Sequence, residues 1–232
     1  MCVLGWCLLL MAAGLSAGEV PSSARAAQAA AVVAPVLDAM YAAASVDAKA
    51  AVLLRIFKQE EQLELWADTG NGYGLLRSYP ICSYSGSLGP KLRQGDGQAP
   101  EGFYAVRPDQ LNPSSRFHLA FNLGYPNAFD RAHGRTGDFL MVHGNCVSIG
   151  CYAMGDVAIE EIYSAVARAL SHGQPAVPVH IFPFRFDTGW RSRHPDSPWL
   201  DFWEQLDTGY RAFEETRQPP RIRVRDGRYL ID

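Results

Sequence analysis

The residues best suited to covalent chemistry are a histidine and a cysteine, His143 and Cys151. They lie in GDFLMVHGNCVSIGCYAMGD, residues 137–156. An apolar run delivers His143 at its end, a glycine-containing turn follows, and Cys151 stands just before a helical pattern. A thiol becomes a useful nucleophile when an imidazole accepts its proton or when backbone N–H groups stabilise its thiolate. Gly150 lets the backbone approach a substrate closely. The N–H groups of Gly150, Cys151 and Tyr152 then form a candidate cradle for the oxyanion of a tetrahedral intermediate. The residue types alone leave two other readings open. Cys151 can be a small buried residue beside a satisfied core histidine, or His143, Cys146 and Cys151 can begin a zinc site. The zinc spacing is not that of a standard knuckle, and no further Cys-x-x-Cys or His pair supplies the missing ligands. No metal is therefore expected.

The elements that must position these residues are mostly short strands. VLLRIFKQ (52–59), QLELWAD (62–68) and YGLLRSYPI (73–81) carry β-branched and aromatic residues, and the Asn71-Gly72 step predicts a hairpin turn. GFYAVRP (102–108), RFHLAFNL (116–123), DFLMVHG (138–144) and AVPVHIF (176–182) read as further strands. The Ser-, Gly- and Pro-rich residues 82–100 show no period, and so long a loop inside a compact domain is more often functional than idle. Val157, Ile159, Ile162, Val166 and Leu170 mark one face of a helix over 156–171, with Asp156 as N-cap and His172-Gly173 as stop. Residues 19–50 predict an N-terminal helix. The aromatic-rich stretch 185–217 turns helical after Pro198, and a last hairpin forms around Asp226-Gly227.

At 232 residues, with 48% hydrophobic residues, the chain suits one compact domain with additions. The net charge of −3 supplies no cationic excess for phosphates, so nucleic acid is not an expected partner. Residues 2–13 form an apolar run followed by small residues, which predicts a signal peptide over 1–18, although no Lys or Arg precedes the run. The chain is therefore expected to be exported to an oxidising compartment. The mature chain then keeps Cys82, Cys146 and Cys151. If the strands ending near Cys82 and Cys146 are neighbours, those two come within disulfide range and Cys151 stays free. Two reduced thiols, or the zinc site, are the alternatives.

His143-Gly144 followed by Ser148-Ile149-Gly150-Cys151 resembles the signature of the L,D-transpeptidase (YkuD-like) catalytic domain. SGSLGPKLRQGDGQAPEGFYAV (85–106) and NAFDRAHGRTGDFLMVHGNC (127–146) are similar to the YafK-type branch, which includes a murein-lipoprotein amidase. The resemblance spans roughly residues 50–184. Ile149 replaces the histidine of the common Ser-His-Gly-Cys, and Ala153-Met154 replaces the usual Arg or Asn. The short His–Cys interval also fits the YafK-type branch.

The resemblance implies an α+β fold that is mainly β with helices. It places a β-sheet catalytic domain at 51–184, after the N-terminal helix (19–50) and before a C-terminal helical extension (185–232). It implies a Cys151 thioacyl-enzyme formed on the diaminopimelate of a peptidoglycan stem peptide, with His143 as base and no cofactor. An amine acceptor gives transpeptidation; water gives an amidase that releases a wall-linked lipoprotein or peptide. A wall-binding module without turnover is the third alternative. Arg135 is the expected partner of substrate carboxylates, with His133 and Ser148 beside it and Lys91 and Arg93 as further cations. Asp96 is expected to serve the Gly95–Gly97 turn. Oligomeric state is not legible in the sequence.

Overall fold

The computed structural model describes residues 19–232. The signal-peptide expectation for residues 1–18 lies outside the described residues. The chain opens with helix α1 (Ala24–Ala43), then strands β1 (Val52–Phe57), β2 (Gln62–Asp68), β3 (Tyr73–Pro80) and β4 (Ser83–Tyr84). Next come β5 (Gly102–Val106), β6 (Leu111–Asn112), β7 (Ala120–Asn122), helix α2 (Ala128–Ala132), β8 (Met141–His143) and β9 (Tyr152–Ala153). Helix α3 (Asp156–Ser171), β10 (Val177–Phe182), α4 (Trp190–Arg193), α5 (Leu200–Thr216) and the hairpin β11 (Ile222–Arg225) and β12 (Arg228–Ile231) complete it. The fold is a mixed α+β one.

One five-stranded sheet has the order β3-β2-β1-β10-β5, and a second has the order β4-β9-β8-β7-β6. The central pair β1–β10 is parallel, with Leu54 opposite Val179, so the first sheet closes only over a long stretch of chain. Strand β1 reads VLLRIF without alternation because both its faces are covered. Val52, Leu54 and Ile56 join the core shared with α1, α3 and the second sheet. Phe57 joins an aromatic cluster with Phe182 and Phe184 at the end of β10 and with Trp190 and Trp203 of the C-terminal helices. Helix α1 buries Val33, Leu37 and Met40, whereas Val32 and Val36 remain exposed.

Several boundaries differ from expectation. The β2–β3 hairpin forms, but the left-handed positions of its four-residue turn are Gly70 (φ +86°) and Gly72 (φ +114°), not Asn71. Thr69 closes that turn by donating its N–H and hydroxyl to Gly72 O. The N-cap of α3 is Gly155, at φ +76°. Asp156 is the first helical residue, and its carboxylate is drawn off to accept the Asn145 N–H at 2.7 Å. The strand expected over 116–123 shrinks to β7, because His118 takes φ +67° and breaks the extended run. Part of the expected loop 82–100 is strand β4, which pairs with β9.

Two buried cations escaped the sequence. Arg55 on β1 is 1% exposed, ion-paired to Glu214 at 2.7 Å and ringed by Phe57, Trp66, Phe182, Tyr210 and Phe213. Lys58 is fully buried and pairs with Glu101 at 3.1 Å. It also donates to the carbonyls of Ser87, Gly89 and Ala99. Glu101 in turn accepts from Gly89 N–H and Trp203 Nε1. One ammonium thus gathers both ends of the long loop and links it, through Glu101, to α5. Burial pushes the Lys58 ammonium down, and Glu101 only partly offsets this. Lys58→Met leaves Glu101 charged, buried and unpaired, which is expected to cost about 3–5 kcal/mol. Urea unfolding measures this. A loss under about 1 kcal/mol contradicts the role given to Lys58.

Candidate active site

Strands β8 and β9 lie side by side and parallel, with Val142 opposite Tyr152 and His143 opposite Ala153. Val142 and Tyr152 point into the core. Side chains alternate along a strand, so Met141 and His143 share the other face. Cys151, one residue before β9, continues the register beside Met141 and takes that same face. His143 and Cys151 therefore sit diagonally on neighbouring strands. Both line one open cleft of about 780 Å³, with Lys91, Arg116, Asp138 and Ser148.

The thiol rests over the backbone of the segment leading into β8. Met141 N–H donates to Cys151 Sγ at 3.4 Å, and the thiol contacts Phe139 O at 3.7 Å. His143 is 2% exposed, and its Nδ1 lies 2.5 Å from Gly144 O. A carbonyl can only accept, so Nδ1 carries the proton and Nε2 is the basic nitrogen. Phe117 packs on the ring at 4.8 Å. Gly144 cannot carry a Cβ, which would come within 2.8 Å of Phe117 O. That close approach brings the Phe117 segment over the imidazole.

Burial pushes the Cys151 thiol up, and the Met141 N–H and the Lys91 charge only partly counter it. Burial likewise pushes His143 down against its bond to Gly144. Both shifts favour neutral partners, a thiol and an imidazole, over a preformed ion pair. Alkylation of Cys151 by iodoacetamide should therefore rise with pH to a midpoint above the ordinary thiol range. Full reactivity already at pH 6, read by mass spectrometry, contradicts the neutral pair.

Of the three expected oxyanion donors, two are engaged. Gly150 N–H donates to Ser148 Oγ at 3.2 Å, and Tyr152 belongs to the β9 ladder. The N–H of Cys151 has no acceptor among the described residues. Ser148 donates to Cys151 O at 2.7 Å, so it clamps the turn that carries the thiol. Gly150 sits at φ +125°, where a side chain would press on Leu140 and Gln98 O.

Cys82 and Cys146 are joined by a disulfide, with a Cα separation of 5.3 Å. It ties the turn between His143 and Cys151 to the chain entering β4, and it removes Cys146 from any zinc site. Cys151 is the free cysteine among the described residues.

The expected cations are redistributed. Arg135 is buried and ion-paired to Asp130 at 2.8 Å, with its guanidinium over Phe129 and Phe202. It does not line the cleft. His133 is also outside it, stacked on Phe129 at 4.2 Å. Lys91 does reach the cleft, held by Arg93 O and by Asp96 at 2.5 Å. Burial alone would raise the Asp96 carboxyl. The Lys91 ammonium and the N–H groups of Arg93, Leu92 and Gln98 outweigh it and hold the carboxyl at about 2. Asp96 thus organises its turn, as expected, and also fixes Lys91. Arg93 contributes its carbonyl there and does not line the cleft. The exposed cleft cation missed in the sequence is Arg116, beside Phe117, and Asp138 adds an acid to the same cleft. The available signal was position: Arg116 opens the segment that covers His143.

No family model matches the chain. Two curated relatives do, each 54% identical over 180 residues, covering 78% of this chain and 73% of the relative. Both bear the name "Putative L,D-transpeptidase YafK", one from Escherichia coli K12 and one from E. coli O157:H7. Among solved structures, the K307A mutant of the helical cell shape determining protein Pgp2 from Campylobacter jejuni is similar at 18% identity and TM-score 0.49. That match covers 76% of this chain and 72% of Pgp2. Bd1075 from Bdellovibrio bacteriovorus is similar at 18% identity and TM-score 0.44, covering 76% and 77%. The structural likenesses are too distant to carry an argument. The sequence relationship is not: at 54% identity over nearly three quarters of the relatives' length, the chain belongs to the YafK family of L,D-transpeptidases.

Proposed function

We propose that the protein is an exported, periplasmic acyltransferase of the peptidoglycan stem peptide that works through a thioacyl-enzyme on Cys151. The observation that carries this reading is the diagonal placement of His143 and Cys151 on one strand face, in one cleft. Family membership supports the reaction class, and the Cys82–Cys146 disulfide supports an oxidising compartment.

The steps follow from the groups present. Cys151 Sγ attacks the carbonyl of the L-centre of diaminopimelate while its proton passes to His143 Nε2. The carbonyl electrons move to oxygen, which the free Cys151 N–H stabilises. Collapse breaks the peptide C–N bond, and the imidazolium returns the proton to the leaving amine. An incoming amine or water then attacks the thioester, and the thiol is regenerated. The thiol, which rests against Phe139 O, must first turn toward the imidazole, as catalytic contacts often form only with substrate bound. Arg116 and Lys91, rather than Arg135, are the cleft cations that can meet substrate carboxylates.

Purified protein incubated with muropeptides, with and without an added D-amino acid, and with lipoprotein-linked peptidoglycan tests this. A thioacyl mass on the Cys151 peptide is expected. An exchanged terminal residue identifies amine transfer, and a shortened or released product identifies hydrolysis. No adduct and no product with any substrate contradicts the reading.

A further inference from the structure

A second groove, of about 950 Å³, lies at the outer edge of the first sheet, between β5, α2 and the terminal hairpin. Strand β5 is an edge strand. Its Ala105 stands opposite Pro178 of β10. Proline has no N–H, so this is a non-hydrogen-bonded pair, and the N–H and C=O of Ala105 point outward. The neighbouring outward groups are capped. Phe103 N–H donates to Tyr229 Oη, Asn127 Nδ2 donates to Phe103 O, and Arg107 N–H donates to Gln110 Oε1. Ala105 N–H and C=O have no partner among the described residues. An open donor–acceptor pair on an edge strand is what an extended peptide uses to add itself to a sheet.

The charge of the groove selects the peptide. Arg107, Arg131 and Arg223 line it, and no Asp or Glu does. Arg107 shares Asp109, and Arg223 shares Asp232, in pairs more than half exposed and so well screened. Arg131 has no carboxylate partner among the described residues; it donates to Pro126 O. Ile222 and Val224 add apolar wall between the arginines. His180, 2% exposed, also lines the groove, and its Nδ1 has no partner.

We propose that this groove holds a second peptidoglycan stem peptide, extended along β5, with its backbone paired to Ala105 and its carboxylates on Arg107, Arg131 and Arg223. The identity of that peptide rests on the function proposed above. The groove retains the enzyme on the polymer while the cleft at Cys151 acts on another stem.

The test is co-sedimentation of the full-length Cys151→Ala protein with purified sacculi, which separates binding from turnover. Arg131→Glu with Arg223→Glu, both exposed positions, is expected to weaken binding about tenfold or more. Ala105→Pro deletes one outward N–H at a position where an edge strand tolerates proline, and is expected to weaken it about 3- to 10-fold. Sacculi stripped of stem peptides should bind the parent no better than intact sacculi bind the double variant. With Cys151 restored, both groove variants should keep kcat/KM on a soluble tetrapeptide within about twofold. Binding unchanged by either substitution, or undiminished on stripped sacculi, overturns the proposal. So does an equal loss of soluble turnover, which would make the groove part of the catalytic cleft. If the parent turns over no muropeptide at all, the proposed function fails, while the sedimentation arms still decide the groove.

Discussion

Cys151→Ser is expected to lower kcat/KM for muropeptide turnover by about 10,000-fold or more, the scale on which loss of a nucleophile is felt. The exchange is nearly isosteric, and the side chain is only half-buried against Phe139 O and Met141 N–H, so the fold should persist. The chemistry should not. A hydroxyl is far less acidic than a thiol, and it needs a strong neighbouring base. His143 is a weakened one, because burial pushes its imidazole down. A serine here meets a base suited only to a thiol. Steady-state assay with an unchanged circular dichroism spectrum checks the prediction. Turnover within tenfold of the parent sinks the nucleophile assignment.

His143→Ala should cut the acylation rate by about 100- to 10,000-fold, the usual range for a lost general base. The ring also supports Phe117, so His143→Gln, which retains much of the bulk, separates the two roles. Both variants should be slow if proton transfer matters, whereas Gln should recover if only packing does. The pH dependence carries a sign. In the parent, activity should fall with falling pH as the imidazole gains its proton, and burial should place that limb below the ordinary histidine value. Both variants should lose the limb. An unchanged rate defeats the base assignment. It would not shift the role to His133, which stacks on Phe129 outside the cleft.

That His143 and Cys151 come to one cleft was legible because a strand end followed by a short glycine turn is a local signal. The strands over 52–80 were legible from their β-branched and aromatic residues and the glycine-containing turn between β2 and β3. What escaped was charge in the interior. Arg55 and Lys58 look like solvated positions in a linear reading, and their nearest acids, Glu214 and Glu101, come from distant segments, with Glu64 of β2 farther from Arg55 at 3.8 Å. Arg135 was misassigned by the same blindness. Its partner Asp130 is close in sequence, but only the packing of Phe129 and Phe202 shows that the pair is enclosed. Asp156 was displaced from its cap because Asn145, across the turn, competes for the carboxylate. In each case a long-range or three-dimensional partner outweighed a local preference.

Arg55 also bears on the order in which the molecule can assemble. Strand β1 is among the most apolar segments of the sheet, and its partner β10 is made far later in the chain. Until then its backbone is an open template for any other strand. An intruder that zipped onto VLLRIFK before Glu214 is made would bury the Arg55 guanidinium with only Glu64, at 3.8 Å, to meet it, and such poorly paired burial is unfavourable. A charge at Arg55 in an otherwise apolar strand is thus of the kind that guards against wrong strand pairing. Its burial is completed when Glu214 of α5, made after β10, closes the ion pair at 2.7 Å.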